Sequence, residues 1–127
     1  MKEMWDDSYT RAPKTIISDI DGTLIEQSDI KNIVDSNHEM KLLPGVREKL
    51  NEWEKHGYNI VLITGRKESL RQITELQLRK AGICYDHLIM GVGPGPRYLL
   101  NDAKPNGQVT AFSYCMKRNQ GLETIEI

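Results

Sequence analysis

Apolar and polar positions fall into two textures along this chain. Short continuous apolar runs at 15–19, 58–64 and 87–90 read as strands of a parallel sheet, since a strand covered on both faces shows no polar alternation. Between them apolar residues recur at helical spacing. Val46, Leu50 and Trp53 mark one helix over 44–56; Leu70, Ile73, Leu76, Gln77 and Leu78 line the inner side of another over 68–81. Gly57 and Gly82 stand where helix-ending glycines belong. After a stiff glycine- and proline-rich connector at 91–96, segments 97–102 and 110–114 read as a fourth and a last strand, and 118–121 as a turn. The order strand–helix–strand–helix–strand–strand–strand predicts an α/β fold: an open, mostly parallel, Rossmann-like sheet with helices on both faces and the first strand central.

Residues 1–14 have no clear period and end near Pro13, so they read as an N-terminal arm before a single domain over 15–127. A length of 127 residues suits one core and is too short for two. The formal net charge of −1 provides no broad basic field, which disfavours nucleic acid and an anionic membrane as partners. No apolar run approaches membrane-spanning length, and residues 1–13 are charged rather than signal-like. Cys84 and Cys115 are far apart and lack metal-ligand spacing, so reduced thiols and a cytoplasmic setting are expected.

The first strand carries the chemistry. Ile16-Ile17-Ser18-Asp19-Ile20-Asp21-Gly22-Thr23-Leu24 ends an apolar run in two aspartates one residue apart. Residues i and i+2 of a strand share a side, so both carboxylates can face one small volume. Two such charges repel, and they are normally reconciled by a hard cation, a shared proton or a basic neighbour. A helix–loop–helix calcium loop fails: aligned on Gly22, it puts Ile17 at its first ligand and Ser28 at its twelfth position. An acidic turn without chemistry remains one reading. The other is a catalytic pair, with Asp19 as nucleophile and Asp21 as acid/base. A second signal follows the 58–64 run, where Thr64-Gly65-Arg66 places a hydroxyl, a glycine and a base at a helix start, a combination suited to phosphate. Thr64 also fits a plain helix-start role, and Arg66 either touches substrate or lies solvated on the first turn.

The run D-I-D-G-T-L resembles the signature of the haloacid dehalogenase (HAD) superfamily of phosphatases and phosphotransferases, and the resemblance extends from about Thr15 to Lys104. It implies phosphoryl transfer through an aspartyl-phosphate on Asp19, with Asp21 as acid/base and Thr64, with Gly65 and Arg66, at the phosphoryl oxygens. It implies Mg²⁺ held by Asp19, by Asp21 through its main-chain carbonyl, and by Asp102, the acid closing the 97–102 segment. Asn101 stands where many members have a second acid. The family's phosphate-neutralising lysine or arginine has three candidates here: Lys104 first, Arg97 second and Lys80 third. An extended chain would set Arg97 ~16 Å from Asp102. The 24–43 segment corresponds to a small flap, with no room for a cap domain. Capless members act on large substrates or complete the pocket by self-association. Small bacterial members of this kind lie near surface-polysaccharide synthesis. The resemblance thus implies a small phosphorylated substrate, a sugar phosphate first and a nucleotide or polynucleotide 3′-phosphate second. A phosphate-binding module without turnover is the non-enzymatic alternative.

Overall fold

The computed structural model describes Tyr9 and residues 11–127. Most of the expected N-terminal arm, residues 1–8 and 10, therefore lies outside the described residues. Three parallel strands form the sheet: β1 (Thr15–Asp19), β2 (Asn59–Ile63) and β3 (His87–Ile89), in the order β1-β2-β3. β1 pairs with β2 from Thr15↔Asn59 to Asp19↔Ile63, and β2 pairs with β3 from Val61↔His87 to Ile63↔Ile89. Past β1 the described chain forms the helices α1 (Ile30–Ile33), α2 (Val46–Lys55) and α3 (Arg71–Lys80), the last preceded by a 3₁₀ turn, Glu68–Leu70.

Register decides which face is buried. Ile16 pairs with Ile60, and Leu62 with Leu88; all four are buried and join Val46, Leu50 and Trp53 of α2 and Leu78 of α3 in one core. Two right-handed crossovers stepping in the same direction put both helices on the same side of a sheet. The other side leaves Ile17 and Ile89 about half exposed. The architecture is the open, parallel α/β sheet with helices that the sequence pattern predicts, and the face carrying Ile17 and Ile89 is the less covered one.

β1 is an edge strand and β2 is central, which corrects the expected placement. The reason is that 97–102 and 110–114 form no strands. Tyr98 and Leu100 point into solvent, and Pro94 and Pro96 remove two main-chain donors just ahead of them. The two segments meet instead through side chains: Asn101 Nδ2 donates to Thr110 Oγ1 at 2.9 Å, and Thr110 Oγ1 donates to the Asp102 carbonyl. Between Gly22 and Pro44 the described chain holds the four-residue α1 and isolated bridges, with Ile25 facing Asp21 and Leu42. No cap domain interrupts it there. Among the described residues no helix is long and apolar enough to cross a membrane.

Candidate active site

Parallel pairing brings the carboxyl ends of β1 and β2 to one edge. Asp19 sits opposite Ile63, so Thr64 lies one residue beyond it, and the chain after β1 must turn at once. It does so around the Ile20 carbonyl, which accepts from Thr23 N (3.2 Å), Leu24 N (2.9 Å) and Ile25 N (3.3 Å). Gly22 takes φ +85°, the left-handed region that favours glycine, and donates to the Ile25 carbonyl at 2.8 Å. This tight turn holds Asp19 and Asp21 beside one another.

The two carboxylates live in different surroundings. Burial pushes the Asp19 carboxyl above its ordinary value; the Ile20 N–H, the Arg97 charge and the Thr23 hydroxyl pull the other way, while Asp21 adds to the rise. Asp21, by contrast, is gripped by Arg66: Nε to Oδ2 at 3.0 Å and Nη2 to Oδ1 at 2.9 Å. The Arg66 side chain is almost wholly buried. Its remaining donors reach Gln77 Oε1 (2.8 Å), Thr74 Oγ1 (3.4 Å) and Ser28 Oγ (3.5 Å), so all five guanidinium N–H groups are committed. Arg66 therefore has no donor left for a ligand. The expectation that it touches substrate or lies solvated gives way to a clamp on Asp21.

Gln77 extends that clamp. Fully buried on α3, it donates from Nε2 to the carbonyls of Asn32 and Asp35, each at 2.9 Å. One continuous polar chain thus runs from Asp21 through Arg66 and Gln77 to the flap. Sequence reasoning placed Gln77 on the inner side of its helix but missed this role. The available signal was an uncharged amide among leucines on an apolar face, which needs partners once buried.

Thr64 is buried; its Oγ1 accepts from Arg66 N at 3.1 Å, and its own N–H donates to the Ile89 carbonyl at 3.0 Å. That is a local turn contact, and it leaves the hydroxyl proton available for an oxygen ligand. Gly65 is exposed at the same edge, and among the described residues its N–H donates to no main-chain carbonyl.

The remaining predicted residues separate. Asp102 is exposed in the irregular 97–102 segment, and among the described residues no three His, Cys, Asp or Glu side chains gather to hold a metal ion. The segment carrying Asp102 makes no strand pairing with β1, and Arg66 holds both carboxylate oxygens of Asp21, leaving its main-chain carbonyl as the group expected to face a metal. What remains suits a hard cation of the magnesium type, which is commonly held by one or two carboxylates, water and substrate phosphate. Asp19 offers a carboxylate, and among the described residues the Asp21 carbonyl accepts no main-chain hydrogen bond. Lys104, the first choice for the neutralising base, lies with Nζ 4.2 Å from the Tyr9 ring centroid, and Lys80 donates to the Ser36 carbonyl at 3.1 Å. Arg97, the second choice, is the base whose charge reaches Asp19.

A three-stranded parallel sheet with an aspartate pair at the carboxyl end of its first strand defines an α/β protein of the HAD type. The chain belongs to the HAD superfamily, subfamily IIIB (acid phosphatase), whose family model matches residues 1–92. Among solved structures it is similar to a chain of the Pnkp1/Rnl/Hen1 RNA repair complex, at 32% identity over 67% of this chain and 27% of that one, with TM-score 0.52. A second structure of the Pnkp1/Rnl/Hen1 complex matches at 30% identity over 68% and 30%, TM-score 0.53. D,D-heptose 1,7-bisphosphate phosphatase from B. bronchiseptica, complexed with magnesium and phosphate, matches at 22% identity over 64% and 51%, TM-score 0.48. The chain thus spans less than a third of the Pnkp1-complex chains it resembles. No curated protein matches it.

Proposed function

We propose that this chain hydrolyses phosphate monoesters through an aspartyl-phosphate on Asp19. The observation that carries the reading is the division of labour between adjacent aspartates: Asp19 is half-buried with, among the described residues, no cation in direct contact, while Asp21 is fixed on both oxygens by Arg66. A nucleophile needs an accessible lone pair; an acid/base needs a fixed position, and a carboxylate held by one arginine retains lone pairs for a proton. Asp19 attacks phosphorus, and Asp21 protonates the leaving oxygen and then takes the proton of the attacking water. The Thr64 hydroxyl and the Gly65 N–H hold phosphoryl oxygens, and Arg97 offsets their charge. The Asp19 carboxylate and the Asp21 carbonyl would hold Mg²⁺, which would supply the positive charge that lets two anions meet.

The substrate we assign is a small sugar phosphate, supported by the net charge of −1 and the short flap. A phosphorylated polynucleotide end is the second reading, favoured by the likeness to a chain of an RNA repair complex. The test is phosphate release from an aryl phosphate with Mg²⁺, then from sugar phosphates and 3′-phosphorylated oligonucleotides. Asp19→Asn should lower the rate by a factor on the order of 10³ or more. Equal rates for variant and wild type would overturn the nucleophile assignment.

A further inference from the structure

The C-terminal turn at 117–120 is tied to the catalytic turn by its most constrained residue. Asn119 stands at φ +62°, a left-handed conformation that asparagine tolerates better than most side chains. Its N–H donates to the Gly22 carbonyl at 2.8 Å, and its Oδ1 accepts from Gln27 N at 2.8 Å. Three residues on, Leu122 is buried in the core and donates to the Pro44 carbonyl at 2.8 Å; a Cβ at Gly121 would collide with that same carbonyl. The turn is therefore pinned on both sides, and so is the backbone of Arg118 within it.

The Arg118 side chain lies over Gly22. A Cβ on Gly22 would meet Arg118 Cγ at 3.2 Å and Nε at 3.8 Å, so the missing side chain is what admits the arginine. Arg66, Arg71, Lys80 and Lys104 are all engaged with protein groups. Arg118 is exposed and, among the described residues, has no hydrogen-bond or ion-pair partner. A phosphate monoester brings negative charge to a place that already holds Asp19, and an uncommitted guanidinium on a pinned backbone can take two of its oxygens at once.

We propose, resting on the phosphatase reading above, that the turn at 117–120 is a wall of the active site, with Arg118 binding the anionic group of a phosphate monoester and Asn119 positioning it. The experiment uses the full chain, with calorimetric titration of inorganic phosphate in the presence of Mg²⁺ and steady-state kinetics on an aryl phosphate. Arg118→Ala should weaken phosphate binding and raise KM by about tenfold with kcat nearly unchanged, and Arg118→Lys should recover part of the loss. Asn119→Gly keeps the left-handed turn and its N–H but loses the tie to Gln27, and should weaken phosphate about threefold; Asn119→Asp, which keeps the acceptor, should stay closer to wild type. Loss of phosphate binding in Arg118→Ala from a wild type that binds but does not turn over supports the wall while sinking the phosphatase reading. Phosphate affinity and KM in Arg118→Ala within about twofold of wild type, or a wild type that binds no phosphate, would overturn the proposal.

Discussion

Residues 15–92 hold all three strands and helices α1 to α3, and the buried polar groups there close on one another: Asp21 on Arg66, Arg66 on Gln77, Gln77 on the flap. Residues 93–127 contain no strand or α-helix and leave Tyr98, Leu100 and Phe112 mostly in solvent. The family match also ends at residue 92. Geometry is stored in the first region, where a buried network tolerates one arrangement of its hydrogen bonds. The second region acts through a few pins, Asn119 and Leu122 among them, and through the charges of Arg97 and Arg118. A loop needs only fixed attachment points to deliver a cation, whereas a paired carboxylate needs its whole surroundings.

The sharpest way to break this contrast is at Arg66. Arg66→Met strands Asp21 beside Gln77, and removing one partner of a buried ion pair costs about 3–5 kcal/mol. Urea unfolding should register that loss, with turnover falling as well. Arg66→Lys should rescue little, because a single ammonium cannot serve Asp21 and Gln77 together. Gln77→Leu is milder. It leaves the carbonyls of Asn32 and Asp35 without their amide donor and one Arg66 nitrogen short of an acceptor, for about 1–3 kcal/mol. If Arg66→Met unfolds no more easily than Leu100→Ser, the buried network does not hold the first region together.

How far the sequence could be read follows from the same division. The three strands were legible because continuous apolar runs closed by polar or glycine residues have few other uses, and the position of Thr64 beside Asp19 follows once those strands are parallel. Arg66 was not legible in its actual role. A guanidinium recognises carboxylate and phosphate with the same fork, so Thr64-Gly65-Arg66 reads alike whichever it holds. The 97–102 segment failed for a different reason. Tyr98-Leu99-Leu100 has local strand character, but pairing with the free edge of β1 is a non-local matter that no short window contains. Asn119 looked like an ordinary turn residue, since nothing near it in the chain points to Gly22.

Leu100 tests the other side of the contrast. Leu100→Ser should change stability by no more than about 0.5 kcal/mol, as for an exposed side chain, against about 2–5 kcal/mol for Leu62→Ala in the core. Chemical unfolding of both variants decides it. A cost at Leu100 approaching that at Leu62 would mean that 97–102 packs in solution as its apolar pattern suggests, and the two regions would no longer differ in kind.

The smallest effect concerns the field that the second region casts on the first. Burial raises the Asp19 pKa from its ordinary 3.8, against the opposing pull of Arg97. A carboxyl raised in this way holds its proton more tightly folded than unfolded. Stability therefore falls as pH rises through the window that opens at the ordinary value, and the cost is complete above the folded value. Asp19→Asn removes that cost. In EDTA, the variant should be more stable than wild type at neutral pH, and the advantage should shrink as pH falls to about 4, where the wild-type carboxyl becomes protonated. Paired thermal melts across that range measure it. Arg97→Ala should widen the gap at neutral pH by removing a cation that eases Asp19. If the advantage grew as pH fell, the anion would be favoured in the fold, and Arg97 would have to outweigh burial.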